Sequence, residues 1–137
     1  MDVQPHSIQG ADRVRVDMLS PALAMVSLIG SHDFGCSQAL QDAFASVAEC
    51  PDVVVDLTHC SFIDSTAIDI FVLARGITHT HGGCFTLVVP PERIAVARVV
   101  ELTRLGDLVA VHSSQQSALA SALAGLEHSE PVAQARA

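Results

Sequence analysis

Polar and apolar residues alternate first over Arg13-Val14-Arg15-Val16-Asp17-Met18-Leu19. That is the period of a strand with one buried face. Ser20-Pro21 supplies a turn, and Leu23-Ala24-Met25-Val26-Ser27-Leu28-Ile29-Gly30 reads as a second, more buried strand. The short connection predicts a hairpin. Ala39, Leu40, Ala43, Phe44 and Val47 then recur at helical spacing between Cys36 and Cys50, and Pro51 closes that helix. A third strand is expected over Val53–Leu57. It ends in a polar turn through Thr58, His59, Cys60 and Ser61, and the turn feeds a helix.

In that helix Ile70, Leu73, Ala74 and Ile77 are expected to form the core stripe. Ser65, Asp69, Val72 and Gly76 fall on a second, outward face. His79 to Gly83 forms a turn with two glycines. Cys84–Val89 is a fourth strand, stopped by Pro90-Pro91. A third helix starts near Pro91 and carries Ile94, Ala97, Val100 and Leu102, with Gly106 as its terminator. Leu108–Val111 is a short fifth strand. Ser113-Ser114 caps a last helix through Leu126, with Ala118, Leu119, Ala122 and Leu123 on its inner face. The order β-β-α-β-α-β-α-β-α predicts an α/β fold on a mixed, largely parallel sheet of about five strands packed by about four helices. Residues 1–12 and 127–137 lack periodicity and are expected to be flexible tails around a single domain over 13–126.

The chemistry concentrates where the third strand meets its helix. Asp64 suits the N-cap, because its carboxylate can accept from an N–H two or three residues on. Ser65 and Thr66 then lie in the first turn. A phosphate added to either hydroxyl would sit near the positive end of the helix dipole. Their ordinary alternative is capping alone.

Composition narrows the choices. The chain has 137 residues and a formal charge of −8, and that length supports one compact core. No apolar run reaches the ~18 residues that cross a bilayer, and the N-terminus lacks the features of a signal peptide. A cytoplasmic protein without membrane insertion is expected. There is no lysine, and the seven arginines are scattered without a basic stripe, which argues against direct nucleic-acid contact. Cys36, Cys50, Cys60 and Cys84 include no CxxC and read as reduced thiols. Two other clusters invite metal or acid–base chemistry: the carboxylates Asp33, Asp56, Asp64 and Asp69, and the loop His79, His81, Cys84. Capping and turn roles account for the first, and a solvated turn accounts for the second. No metal or other cofactor is assigned.

Two motifs together resemble the STAS domain of anti-sigma factor antagonists. One is Asp56-Leu57, followed after a short turn by Phe62-Ile63-Asp64-Ser65-Thr66. The other is Gly30-Ser31-His32-Asp33 after the second strand. The resemblance covers roughly residues 13–126. It implies a bacterial, non-enzymatic regulator of transcription that binds an anti-sigma factor and frees a sigma factor. That partner is also a serine-protein kinase, and the resemblance assigns Ser65 as the phosphorylated residue, with Thr66 as the alternative. Asp33 and Asp64 match positions of the docking surface, which is expected to include Ser65, Thr66, Ile68, Asp69 and Val72. Two departures stand out. Ser31-His32 replace the usual Glu-Leu, and Ala67 stands where the family has glycine, which is expected to place a methyl group where a kinase approaches. The alternatives are a STAS subunit that docks constitutively in a phospholipid-transport or stress-signalling complex, and a small enzyme or metal-binding protein. The sequence leaves the oligomeric state open.

Overall fold

The computed structural model describes residues 13–32 and 36–127. The expectations for the two tails and for Asp33 lie outside the described residues.

The hairpin comes first, as β1 (Val14–Ser20) and β2 (Leu23–His32). Helix α1 (Ser37–Ser46), strand β3 (Asp52–Ile63), helix α2 (Ser65–Thr80) and strand β4 (Phe85–Val88) follow. Helix α3 (Ile94–Leu102), a 3-10 turn (Leu105–Asp107), strand β5 (Ala110–His112) and helix α4 (Gln115–Glu127) complete the order. The five strands lie in the order β1-β2-β3-β4-β5. Among the described strands only the β1–β2 pair is antiparallel. Central strands covered on both faces need continuous apolar runs, and Val53-Val54-Val55 supplies one: Val53 and Val55 enter the core under α1, α2 and α3, and Val54 points to the opposite face.

The first face is the larger. Phe44 of α1, Phe71 of α2 and Phe85 of β4 meet there with ring centroids 5.8–6.3 Å apart, so one aromatic cluster ties two helices to the sheet. On the other face, among the described residues, α4 packs alone. Its Ala118 is buried against Leu23, Met25, Val54 and Val88, with Leu119 and Ala122 partly buried beside it.

The structure corrects the expected helix phases. In α2 the inward side is Ala67, Ile68, Ile70, Phe71, Ala74 and Thr78. Leu73 is 70% exposed and Ile77 is exposed as well, because the rows next to α1 and β4 are filled by Ile70, Phe71 and Ala74. In α3 the buried residues are Val96 and Val100, while Ile94 and Leu102 face outward. Leu123 of α4 is also exposed. The break after α3 uses Arg104, at φ 59°, in the left-handed conformation. Gly106 lies inside the 3-10 turn rather than ending the helix.

One turn has no spare room. After α2, Gly82 has φ 74°, and the Gly83 N–H donates to the Thr78 carbonyl at 2.9 Å. A Cβ on Gly83 would lie 1.5 Å from the Pro51 oxygen. Glycine there allows the loop before β3 and the loop before β4 to touch.

The polar stretch after Leu57 is strand, not turn. β3 continues to Ile63 and pairs with β2 as far as His32↔Ile63, with register shifts between Ser27 and Ile29 and between Gly30 and Ser31. At each irregularity β3 carries one residue more than β2, the arrangement of a β-bulge. Pairing with β4 stops at Asp56↔Val88, so β2 and β3 run on together beyond the rest of the sheet.

Candidate functional site

Asp64 closes this extended ribbon. Its backbone is extended (φ −110°, ψ −175°), and its side chain accepts from the Ala67 N–H at 3.1 Å. Its own N–H donates to the His32 carbonyl at 3.2 Å, and its carbonyl accepts from Ile68 N–H at 3.1 Å. The N-cap expected from the sequence is therefore formed, and it is anchored to the end of β2. Ser65 is the first residue of α2 and is exposed; Thr66 is half-buried. Asp69 and Val72 are exposed on the same outward side. The site thus presents a hydroxyl, two carboxylates and one apolar side chain on a rigid helix start.

One residue assigned to this surface, Ile68, lies elsewhere, and Ala67 does not face the approach to Ser65. Ile68 is 8% exposed and belongs to the main core. Its position on the helix faces the sheet, so it supports the surface from beneath. Ala67 is 3% exposed. Its methyl group packs inward and leaves the approach to Ser65 open, contrary to the expectation drawn from its place in the motif.

A second feature was not evident from the sequence. Asp56, 7% exposed, accepts from the Thr58 N–H at 3.0 Å, the Thr58 hydroxyl at 2.5 Å and the Gln115 side-chain amide at 3.2 Å. It forms the floor of an open cleft of about 310 Å³, whose walls include His59, Glu92, Ser113 and Ser114. Arg93 fixes one wall by donating from Nε to the Thr58 carbonyl at 2.6 Å. The cleft lies where β4 and β5 end and α4 begins. These residues are far apart in sequence, so no local motif marks them. The available signal was the crevice that parallel α/β sheets form at their carboxyl ends.

The remaining candidates stay apart. His79, His81 and Cys84 are exposed, and among the described residues no three His, Cys, Asp or Glu side chains are grouped to hold a metal. Cys36, Cys50 and Cys60 are buried free thiols. Burial pushes the Cys60 thiol up to about 11, which keeps it protonated and unreactive at neutral pH. No described helix is long and apolar enough to cross a membrane.

The sequence matches the STAS domain over residues 15–118. No curated protein matches it. Among solved structures, an anti-sigma factor antagonist from Mycobacterium paratuberculosis is similar at 24% identity and a TM-score of 0.70, covering 80% of this chain and 92% of that one. An anti-sigma-factor antagonist (STAS) domain protein from Planctomyces limnophilus has 19% identity and a TM-score of 0.67, with coverage of 80% and 97%. The Bacillus cell fate determinant SpoIIAA in its phosphorylated form has 14% identity and a TM-score of 0.61, with coverage of 79% and 97%. At these identities the likeness is one of fold.

Proposed function

Because the chain belongs to the STAS domain family, we propose that it is an anti-sigma factor antagonist, a non-enzymatic switch that binds an anti-sigma factor through the start of α2. The observation that carries this is Ser65: an exposed hydroxyl at the first position of a rigidly capped helix, flanked by Asp64, Asp69 and Val72. Its partner is an anti-sigma factor that also acts as serine-protein kinase in the cytoplasm. Unphosphorylated protein sequesters that partner and so frees a sigma factor; transfer of phosphate to Ser65 ends the complex.

The electrostatics explain the direction of the switch. A phosphate adds about −1.5 to −2 charges at neutral pH. Within the domain the helix N-terminus favours an anion by roughly 0.3–1 kcal/mol, so the fold survives. At an interface the same phosphate must shed water beside Asp64 and Asp69, which is costly without a cation from the partner. A penalty of about 4 kcal/mol weakens binding about 10³-fold.

The test is titration of candidate anti-sigma factors against unmodified protein, phosphorylated protein and Ser65→Ala, with circular dichroism on each. Unmodified protein and Ser65→Ala should bind alike, and the phosphorylated form should bind far more weakly with unchanged ellipticity. Since the Ala67 methyl is internal, Ala67→Gly should cost about 1 kcal/mol of stability and leave the phosphorylation rate unchanged. Equal affinities for the two phosphorylation states, or phosphate mapped away from Ser65 and Thr66, would refute the switch. Tight binding in both states would favour the constitutive-subunit alternative.

A further inference from the structure

Among the described residues no strand pairs with the outer edge of β1, and that edge is written in a self-complementary order. In an antiparallel pair, residues alternate between those bonding to the neighbour and those pointing away. The Ile29 N–H donates to the Arg13 carbonyl at 2.8 Å, and the register runs Val14↔Leu28, Arg15↔Ser27, Val16↔Val26, Asp17↔Met25. Arg13, Arg15 and Asp17 therefore bond toward β2. The N–H and C=O groups of Val14, Val16 and Met18 point outward, and among the described strands β1 is at the end of the sheet.

We propose that this edge pairs with β1 of a second copy of the chain, antiparallel and centred on Val16, joining two five-stranded sheets into one. In that register Val16 faces its own counterpart across the two-fold axis, and Val14 faces the partner's Met18. Their outward backbone groups match as hydrogen-bonded pairs. Arg15 then falls opposite the partner's Asp17, twice, at the non-hydrogen-bonded positions where side chains approach most closely.

The charges select this register over its neighbours. Shifting the axis to Arg15 sets the two Arg15 side chains opposite each other. Shifting it to Asp17 opposes two carboxylates. Shifting it to Val14 opposes Arg13 and Arg15. Only the Val16 axis makes every charged pair attractive. Arg15 and Asp17 already share one face, with Arg15 Nε 3.5 Å from Asp17 Oδ2, so each dimer would hold a four-charge cluster. The apolar side agrees. Val14 and Val16 pack on the main core, while Met18 is 55% exposed. Pairing places Met18 against the partner's Val14 and covers it. Edges that avoid pairing use bulges, prolines or charges that repel a copy; here the only register shift in the β1–β2 pair lies at Met18/Ser20, past the centre.

The experiment is sedimentation equilibrium of the full chain across a dilution series. A monomer–dimer equilibrium that weakens with salt is expected. Arg15→Asp and Asp17→Arg, each alone, oppose like charges at two places and should raise the dimer Kd about ten-fold or more. An equimolar mixture of the two variants restores both attractive pairs and should recover a heterodimer near the original affinity. Val16→Pro removes an N–H that faces away from β2, so the monomer should stay folded by circular dichroism while dimerisation is lost. The proposal is overturned by a chain that is monomeric at every concentration, by a dimer indifferent to the single variants, or by a mixture that fails to re-associate.

Discussion

The two faces of the sheet are built on different terms. Under α1, α2 and α3 the interior is apolar, knitted by three phenylalanines and by alternate residues of the central strands. Under α4 the apolar contact made by the described side chains is smaller, and the same face carries Asp52, Asp56 and Thr86, all buried. One face supplies the stability of the domain. The other holds its only buried carboxylates among the described residues, and it borders the cleft. A helix fastened by few apolar contacts opens at lower cost than the rest of the molecule.

Three measurements press on this contrast. The largest effect is expected from Phe71→Ala, which removes the residue shared by two of the three ring contacts. It should lower unfolding free energy by about 3–5 kcal/mol in denaturant titration. Leu119→Ala on the α4 side should cost about 1 kcal/mol or less, since that side chain is only partly buried. Equal losses at the two positions would erase the distinction.

The caps give a finer comparison. Asp64→Ala removes the acceptor for Ala67 N–H, and Ser114→Ala removes the acceptor for Ser117 N–H, 3.1 Å away. Each should cost about 1 kcal/mol. The difference should appear in hydrogen exchange. Ser114→Ala should speed exchange in α4 alone, whereas Asp64→Ala should speed it across the sheet.

The smallest effect concerns Asp52, whose carboxylate accepts from the Cys84 N–H at 2.9 Å. Burial raises its pKa above the usual 3.8, outweighing that hydrogen bond. The folded state therefore holds the proton more tightly than the unfolded chain. Stability contributed by this group rises as pH falls through its raised pKa, and ionisation at neutral pH opposes folding slightly. Asp52→Asn keeps an acceptor without the charge. It should match or exceed the wild type at pH 7, and its advantage should shrink as pH falls and be lost below the unfolded carboxylate's value of about 3.9. A variant less stable at pH 7 by more than about 1 kcal/mol would show that the anion's hydrogen bond outweighs its burial.

Much of the architecture was legible because local signals agreed with the fold. The β1 alternation, the Val53-Val54-Val55 run, the Asp64 cap and the serines before α4 all mark elements where they occur. The errors have a common cause. Leu73, Ile77, Ile94, Leu102 and Leu123 are large and apolar, and periodicity alone counts them as core; their exposure is decided by which neighbours fill the space around each helix. Thr58, His59 and Ser61 read as a turn because they are polar, but bulged pairing with β2 holds them in a strand. The α2 start was visible as one contiguous motif. The Asp56 cleft was not, since β3, the loop after β4 and α4 each contribute only a few of its residues.

The overrun of β3 has a consequence for the phosphorylation proposed at Ser65. Leu57–Ile63 extend past the last pairing with β4, carrying the start of α2 roughly 20 Å beyond that point. Kinases commonly read an unstructured segment laid out along their cleft. Here the segment before Ser65 is committed to a β-ladder, and the residues after it to a helix. A kinase acting on Ser65 must accept a preformed corner, recognised as a solid shape. A synthetic peptide spanning residues 56–72 would contain every side chain of the motif and still be a poor substrate, because the information lies in the corner's geometry.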